Sequence, residues 1–209
     1  LNTQLELQLP QLELRQQSDQ PLQITATANL QLQQLQHPQL QTTDWQLHSS
    51  VSGSLQALQL QGELSNTPGL TVQYQAQLDA LTKLSASWQL ADIFLLAGNP
   101  LQDSFRAWPE LLTLQRGRLA ASGQLHYPAA PQLLEAQLQL RELSGLYDRT
   151  LFTNLSGQST VAINPEQLSL SVPQLSVQQL NHGMTLGPLQ LVANYQTALA
   201  APEQGVIEL

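Results

Sequence analysis

The chain has 209 residues, enough for one large all-β domain or two small ones, and Leu and Gln together fill more than a third of its positions. Charged residues make up only 11% and aromatics 5%, against an ordinary charged share of about 25%, yet the wealth of large aliphatic side chains marks a chain that folds. A net charge of -8, with its seven Lys plus Arg spread singly, excludes nucleic-acid binding, which needs clustered cations, and the absence of cysteine excludes disulfides and thiol-ligated metals.

The first residues, Leu1-Asn2-Thr3-Gln4-Leu5, read as the middle of a strand and lack the Met and basic segment of a signal peptide. Leu5, Leu7 and Leu9 alternate with polar residues until Pro10 resets the parity to Leu12 and Leu14. The clearest run is Leu22 to Gln33. Leu22, Ile24, Ala26, Ala28, Leu30 and Leu32 fall on one face, and Gln23, Thr25, Thr27, Asn29, Gln31 and Gln33 on the other. At about 3.3 Å per residue such a strand spans roughly 36 Å, long against the usual five or six residues.

The same period recurs in Trp45, Leu47 and Val51, then in Leu58, Leu60 and Leu64. A turn at Asn66-Thr67-Pro68-Gly69 leads into Leu70, Val72, Tyr74, Ala76 and Leu78. Between Leu90 and Leu114 the alternation lapses. There Asp92 is expected to cap a short helix ending at Gly98, and Pro100 to open another that stops before Pro109. These short helices, near 91–108, would plug or cap the sheet, and a sub-block seam is placed near 91–110.

Alternation returns in Leu119, Ala121, Gly123, Leu125 and Tyr127, and in Leu134, Ala136, Leu138 and Leu140. It continues through Val161 and Ile163, Leu168, Leu170 and Val172, and Leu189, Leu191, Ala193 and Tyr195. The end, Gly205-Val206-Ile207-Glu208-Leu209, stops in mid-pattern. Residues 1–209 are therefore expected to be a single elongated segment cut from a larger protein, its anchor outside. No apolar run reaches the 18 or more residues of a transmembrane helix.

The fold expected is all-β: a long, curved antiparallel sheet forming a groove or a flattened barrel. One face is Gln, Ser and Thr, and the other Leu with small residues. Burial of each Leu is worth about 1.5–3 kcal/mol, so the apolar face needs a cover. A second sheet closing a sandwich is one cover; acyl chains lying in an open trough are another. Long strands, scarce aromatics and repetition favour the trough. Its lining is placed at Leu22, Ile24, Leu30, Leu32, Val72, Leu78, Leu125, Leu138, Leu140, Leu170, Val172 and Leu191. A structural sandwich or solenoid segment of an exported scaffold or adhesin is the alternative. An outer-membrane barrel would need aromatic girdles that three Trp and four Tyr do not supply.

No catalytic, metal or cofactor constellation emerges, so no enzyme is expected. His37, His48, His126 and His182 stand apart without metal spacing. Asp148 and Arg149 form at most an exposed ion pair, worth little. Asn154-Leu155-Ser156 matches a glycosylation sequon in form only, and Trp45, Trp88 and Trp108 read as packing residues.

The segments RELSGLYDRTLFTNLSGQSTVAI and VQQLNHGMTLGPLQLVANY carry a resemblance. Gly145-Leu146-Tyr147, Phe152 with Leu155-Ser156-Gly157, and Leu180-Asn181-His182-Gly183-Met184 resemble the C-terminal part of the YdbH family, AsmA-like proteins of Gram-negative envelopes. WPELLTLQRGRLAASGQLHY is similar as well, so the resemblance covers the chain from about Leu81 onward. It implies a periplasmic β-groove in a protein anchored in the inner membrane. Such a groove would carry phospholipid acyl chains toward the outer membrane and meet a small outer-membrane lipoprotein there. An older label for the family, dicarboxylate transport, finds no cationic partner for a dianion here.

Overall fold

Leu and Gln are both good helix formers by intrinsic propensity. Strict alternation overrides that preference, because in a helix the leucines would be strewn around the whole surface, whereas in a strand they gather on one side. The computed structural model describes residues 4–18, 21–128 and 132–208, so the strand expected over Leu1-Asn2-Thr3 lies outside the described residues.

The elements are β1 (Gln4–Arg15), β2 (Gln23–Leu35), β3 (Thr43–Ser54), β4 (Ala57–Asn66), β5 (Thr71–Asp79) and β6 (Lys83–Phe94). A 3-10 turn (Leu95–Ala97) and the helix α1 (Pro100–Ser104) follow. Then come β7 (Leu112–Tyr127), β8 (Leu134–Tyr147), β9 (Thr150–Ile163), β10 (Gln167–Val177), β11 (Gln179–Asn181), β12 (Thr185–Leu186), β13 (Leu189–Ala198) and β14 (Val206–Glu208). The fourteen strands form one antiparallel sheet in chain order, with β11 and β12 off the main path. Among the described residues its first and last strands pair only with β2 and β13, so of the two expected forms the closed barrel is set aside. The chain divides into two compact units: Leu1–Ala91 with Pro100–Ala107 and Gln124–Ala130, and Asp92–Asn99 with Trp108–Gly123 and Pro131–Leu209.

In the first unit the strands pair almost without offset. The β1–β2 register shifts between Gln8 and Gln11, where Pro10 lacks the N–H a ladder needs, and this bulge lets both halves of β1 turn their leucines the same way. A small cap closes one end of β3 and β4. Asn66 Nδ2 donates to Ser104 Oγ (2.7 Å), and Leu70 N–H donates to Asn66 Oδ1 (2.9 Å). Leu40 bridges to Phe105, and Arg106 Nε donates to Leu40 O (2.8 Å), which pins the chain after α1. Asn66, Leu70 and Ser104 are all buried, so Asn66→Ala would strand the Leu70 N–H and leave Ser104 Oγ with only its bond to Pro100 O. The expected cost is about 2–3 kcal/mol, read as a lowered urea midpoint at unchanged slope.

The second unit keeps its own regular ladder over β8, β9, β10 and β13, interrupted by bulges between Leu140 and Gly145 and between Val172 and Leu175. The expected helix cap at Asp92 is not found. Asp92 lies inside β6, and its carboxylate pairs with Arg118 (3.3 Å), whose guanidinium also sits 4.4 Å from the centre of the Phe94 ring. Alternation lapses there because burial passes from Leu90 to Ile93 within β6, and the short helix expected to end at Gly98 is the 3-10 turn Leu95–Ala97, which starts after Phe94 rather than at Asp92. Pro100 does open α1, as its fixed φ suits a first helical position.

Candidate functional site

Register turns the alternation of single strands into rows that cross the sheet. In the first unit Leu7, Leu30, Leu47, Leu64, Val72 and Leu90 stand opposite one another on six successive strands. A second row runs Leu14, Ile24, Gly53, Leu58, Leu78 and Leu84, and a third Leu12, Ala26, Val51, Leu60, Ala76 and Ala86. Between the first and third lies Ala28, Ser49, Gly62, Tyr74 and Trp88, where the Tyr74 hydroxyl donates to Ser49 Oγ (2.8 Å). All of these share one face, because residues directly opposite in an antiparallel pair point the same way.

Ile24, Leu30, Leu32, Val72 and Leu78 therefore share that face, and Leu22 precedes β2 with the same parity. Leu125 takes the side opposite His126, whose Nδ1 faces Ser85 Oγ on the polar rows. In the second unit Leu170 joins Ala136, Val161 and Tyr195, while Leu140 joins Gly157, Leu175 and Leu191. Leu138 and Val172 fall on the same side of that unit by parity. Each unit thus gathers its own share of the expected lining on one face.

That face is not sealed. None of the twelve residues is buried: Leu138 and Leu191 are 37% and 44% exposed and the other ten are half-buried. A half-buried Leu leaves on the order of 1 kcal/mol of transfer free energy unrealised. Four residues of the same face that the expected lining omits are more open still: Leu5, Leu7, Leu12 and Leu14 of β1 are 56–66% exposed. Their parity is a signal equal to that of Ile24 or Leu30. Leu47, Leu64 and Leu90 were legible in the same way.

The opposite face is a lattice of Gln, Ser and Thr. In the first unit it carries a depression of about 500 Å³ lined by Ser50, Ser52, Gln59, Gln61, Gln75, Gln77, Ser85, Ser87, Gln124 and His126, together with the backbone-proximal Leu60, Ala76 and Ala86. None of the twelve expected lining residues reaches it.

The remaining candidates resolve into local structure. Among the described residues no three His, Cys, Asp or Glu side chains gather as a metal site. His48 Nδ1 meets Asn29 Oδ1 (2.8 Å), His182 Nδ1 meets Thr150 Oγ1 (3.0 Å), and His37 Nδ1 accepts from the Gln39 N–H (3.2 Å). The ion pairs among the described residues are Arg15–Glu13 and Arg118–Asp92, and none joins Asp148 to Arg149. Asn154 lies within β9 with its side-chain amide donating to Gln178 Oε1, a strand position rather than an open loop. Trp45 is buried, Trp88 stands opposite Tyr74, and Trp108 Nε1 donates to Leu112 O (3.0 Å), so all three serve packing.

No helix among the described residues is long and apolar enough to cross a membrane. A family model described as "YdbH-like: Intermembrane phospholipid transport protein YdbH" matches residues 1–209, the whole chain. The match includes the first eighty residues, which the resemblance in the sequence did not reach; their Gln-rich rows follow the same one-sided pattern as the rest. No curated protein and no solved structure matches the chain.

Proposed function

Since the chain belongs to the YdbH-like family, we propose that it is a periplasmic segment of an AsmA-like protein that carries phospholipids between the inner and outer membranes, their acyl chains lying along its apolar sheet face. The observation that carries this reading is the set of in-register leucine rows left half-buried or exposed. At about 0.8 kcal/mol per buried CH₂, roughly ten methylenes of one tail would gain about 8 kcal/mol there. Successive rows offer nearly the same surface, so a tail moves from one to the next without leaving a deep well. Sliding along the face needs that evenness, and strong discrimination would oppose it.

In this reading the twelve lining residues, with Leu5, Leu7, Leu12 and Leu14, form the acyl-chain path. In this reading a part of the protein other than this sheet supplies the membrane anchor. A small outer-membrane lipoprotein is the expected partner, and no catalytic residue takes part. A sandwich or solenoid scaffold is less well supported, because a second packed layer would bury these rows.

Native mass spectrometry of the purified chain, with extraction of bound lipid, tests the reading: diacyl phospholipid should co-purify. A chain free of lipid, and unable to take it up from vesicles, would overturn it. Ala26→Trp separates the two architectures. On an open face the indole is tolerated and slows lipid uptake; in a packed interior it costs about 1–3 kcal/mol of stability.

A further inference from the structure

None of the twelve residues of the proposed acyl-chain path reaches the depression on the polar face of the first unit. It lies across two neighbouring rows of β3 to β6, where Gln59 stands opposite Gln77 and Gln61 opposite Gln75, with serine hydroxyls at the flanking strands and Gln124 and His126 completing the wall. Strands about 4.8 Å apart and a two-residue repeat of about 6.7 Å set these amides and hydroxyls on a regular grid. Each amide offers two donors and an acceptor, and each hydroxyl offers both roles.

The composition of the wall selects the ligand. It contains no Lys, Arg, Asp or Glu, so a phosphate or carboxylate would lose its water without gaining a charged partner. Its apolar members, Leu60, Ala76 and Ala86, belong to rows on the other face, so an acyl chain or aromatic ring would find little to bury against. The internal contacts are few and easily exchanged: Ser50 Oγ donates to Gln61 O at 3.4 Å, and His126 Nδ1 lies 3.4 Å from Ser85 Oγ. A ligand that is uncharged and covered with hydroxyl and amide groups can replace the water on this grid bond for bond.

We infer that this depression binds an uncharged glycan, on the face opposite the acyl-chain path. The site is independent of the lipid reading, and either stands if the other fails. Titration of the 15N-labelled chain with chitotetraose, followed through the side-chain amide signals of glutamine, tests it. Saturable shifts are expected in the millimolar range, confined to Gln59, Gln61, Gln75, Gln77 and Gln124. Gln61→Ala combined with Gln75→Ala should weaken binding about tenfold or more, the loss of one to two good hydrogen bonds. Spectra that do not change, or shifts spread equally to Gln31, Gln46 and Gln89 elsewhere on the polar face, overturn the inference.

Discussion

Gly62→Ala is expected to destabilise the first unit by about 3–5 kcal/mol, in the range that only a few mechanisms reach. A Cβ added at Gly62 would lie 2.1 Å from His48 O, 3.0 Å from Ser49 Cα and 2.8 Å from the Tyr74 hydroxyl. Two of these are backbone atoms of β3, which cannot withdraw without breaking the Ser49–Gly62 pairing at the centre of the β3–β4 ladder. The third is the hydroxyl held by Ser49, so relief on one side strains the other. Gly69→Ala is the proper comparison. Its added Cβ meets nothing within 4 Å, and only its φ of +96° is unfavourable. That change should cost about 1–2 kcal/mol. Urea unfolding of both variants checks the difference, and equal costs would show that close approach at Gly62 is not what fixes this row.

Leu47→Asp is expected to reduce phospholipid retained by the chain at least tenfold, while Gln46→Asp, one residue away, leaves it within about twofold. Both residues sit in the middle of β3, opposite Leu64 and Ser65 respectively, and they differ only in face. A carboxylate at position 47 would have to be desolvated by any acyl chain crossing the row, and a tenfold loss needs only about 1.4 kcal/mol. The half-buried site keeps the structural cost of the change modest. Quantified lipid extraction from the two variants gives the answer. Equal retention would remove the apolar face as the lipid path, whatever else the family does.

Most of the fold was legible because one physical rule governs nearly every strand. Leu22 to Gln33 showed its two faces outright, and Pro10 announced the bulge that the β1–β2 register contains. The Asn66-Thr67-Pro68-Gly69 turn was equally plain, and the Gly69 N–H donates to Asn66 O (3.0 Å) within it. The failures have local causes. Asp92 looked like a helix cap because a slip in β6 erased the alternation around it, and no residue type marks such a slip. The β5–β6 turn rests on Ala80 and Leu81, both at positive φ, residues that carry no turn signal at all. The row structure lay further still beyond reach: parity tells which residues share a face of one strand, but only register tells that Leu30, Leu47, Leu64 and Val72 stand in line. The polar-face depression was illegible for the same reason, since its glutamines come from separate strands.

The unbroken neighbour-to-neighbour order of β1 through β6 also governs how the first unit comes into being. Each ladder from β1 to β6 joins consecutive stretches of chain, so loop-closure entropy stays small at each of these steps, while the cap that α1 and Phe105 place on Asn66 and Leu40 waits for later sequence. A chain emerging from synthesis can therefore zip up hairpin by hairpin, each finished strand templating the next, and the unit grows from one end as a solenoid does.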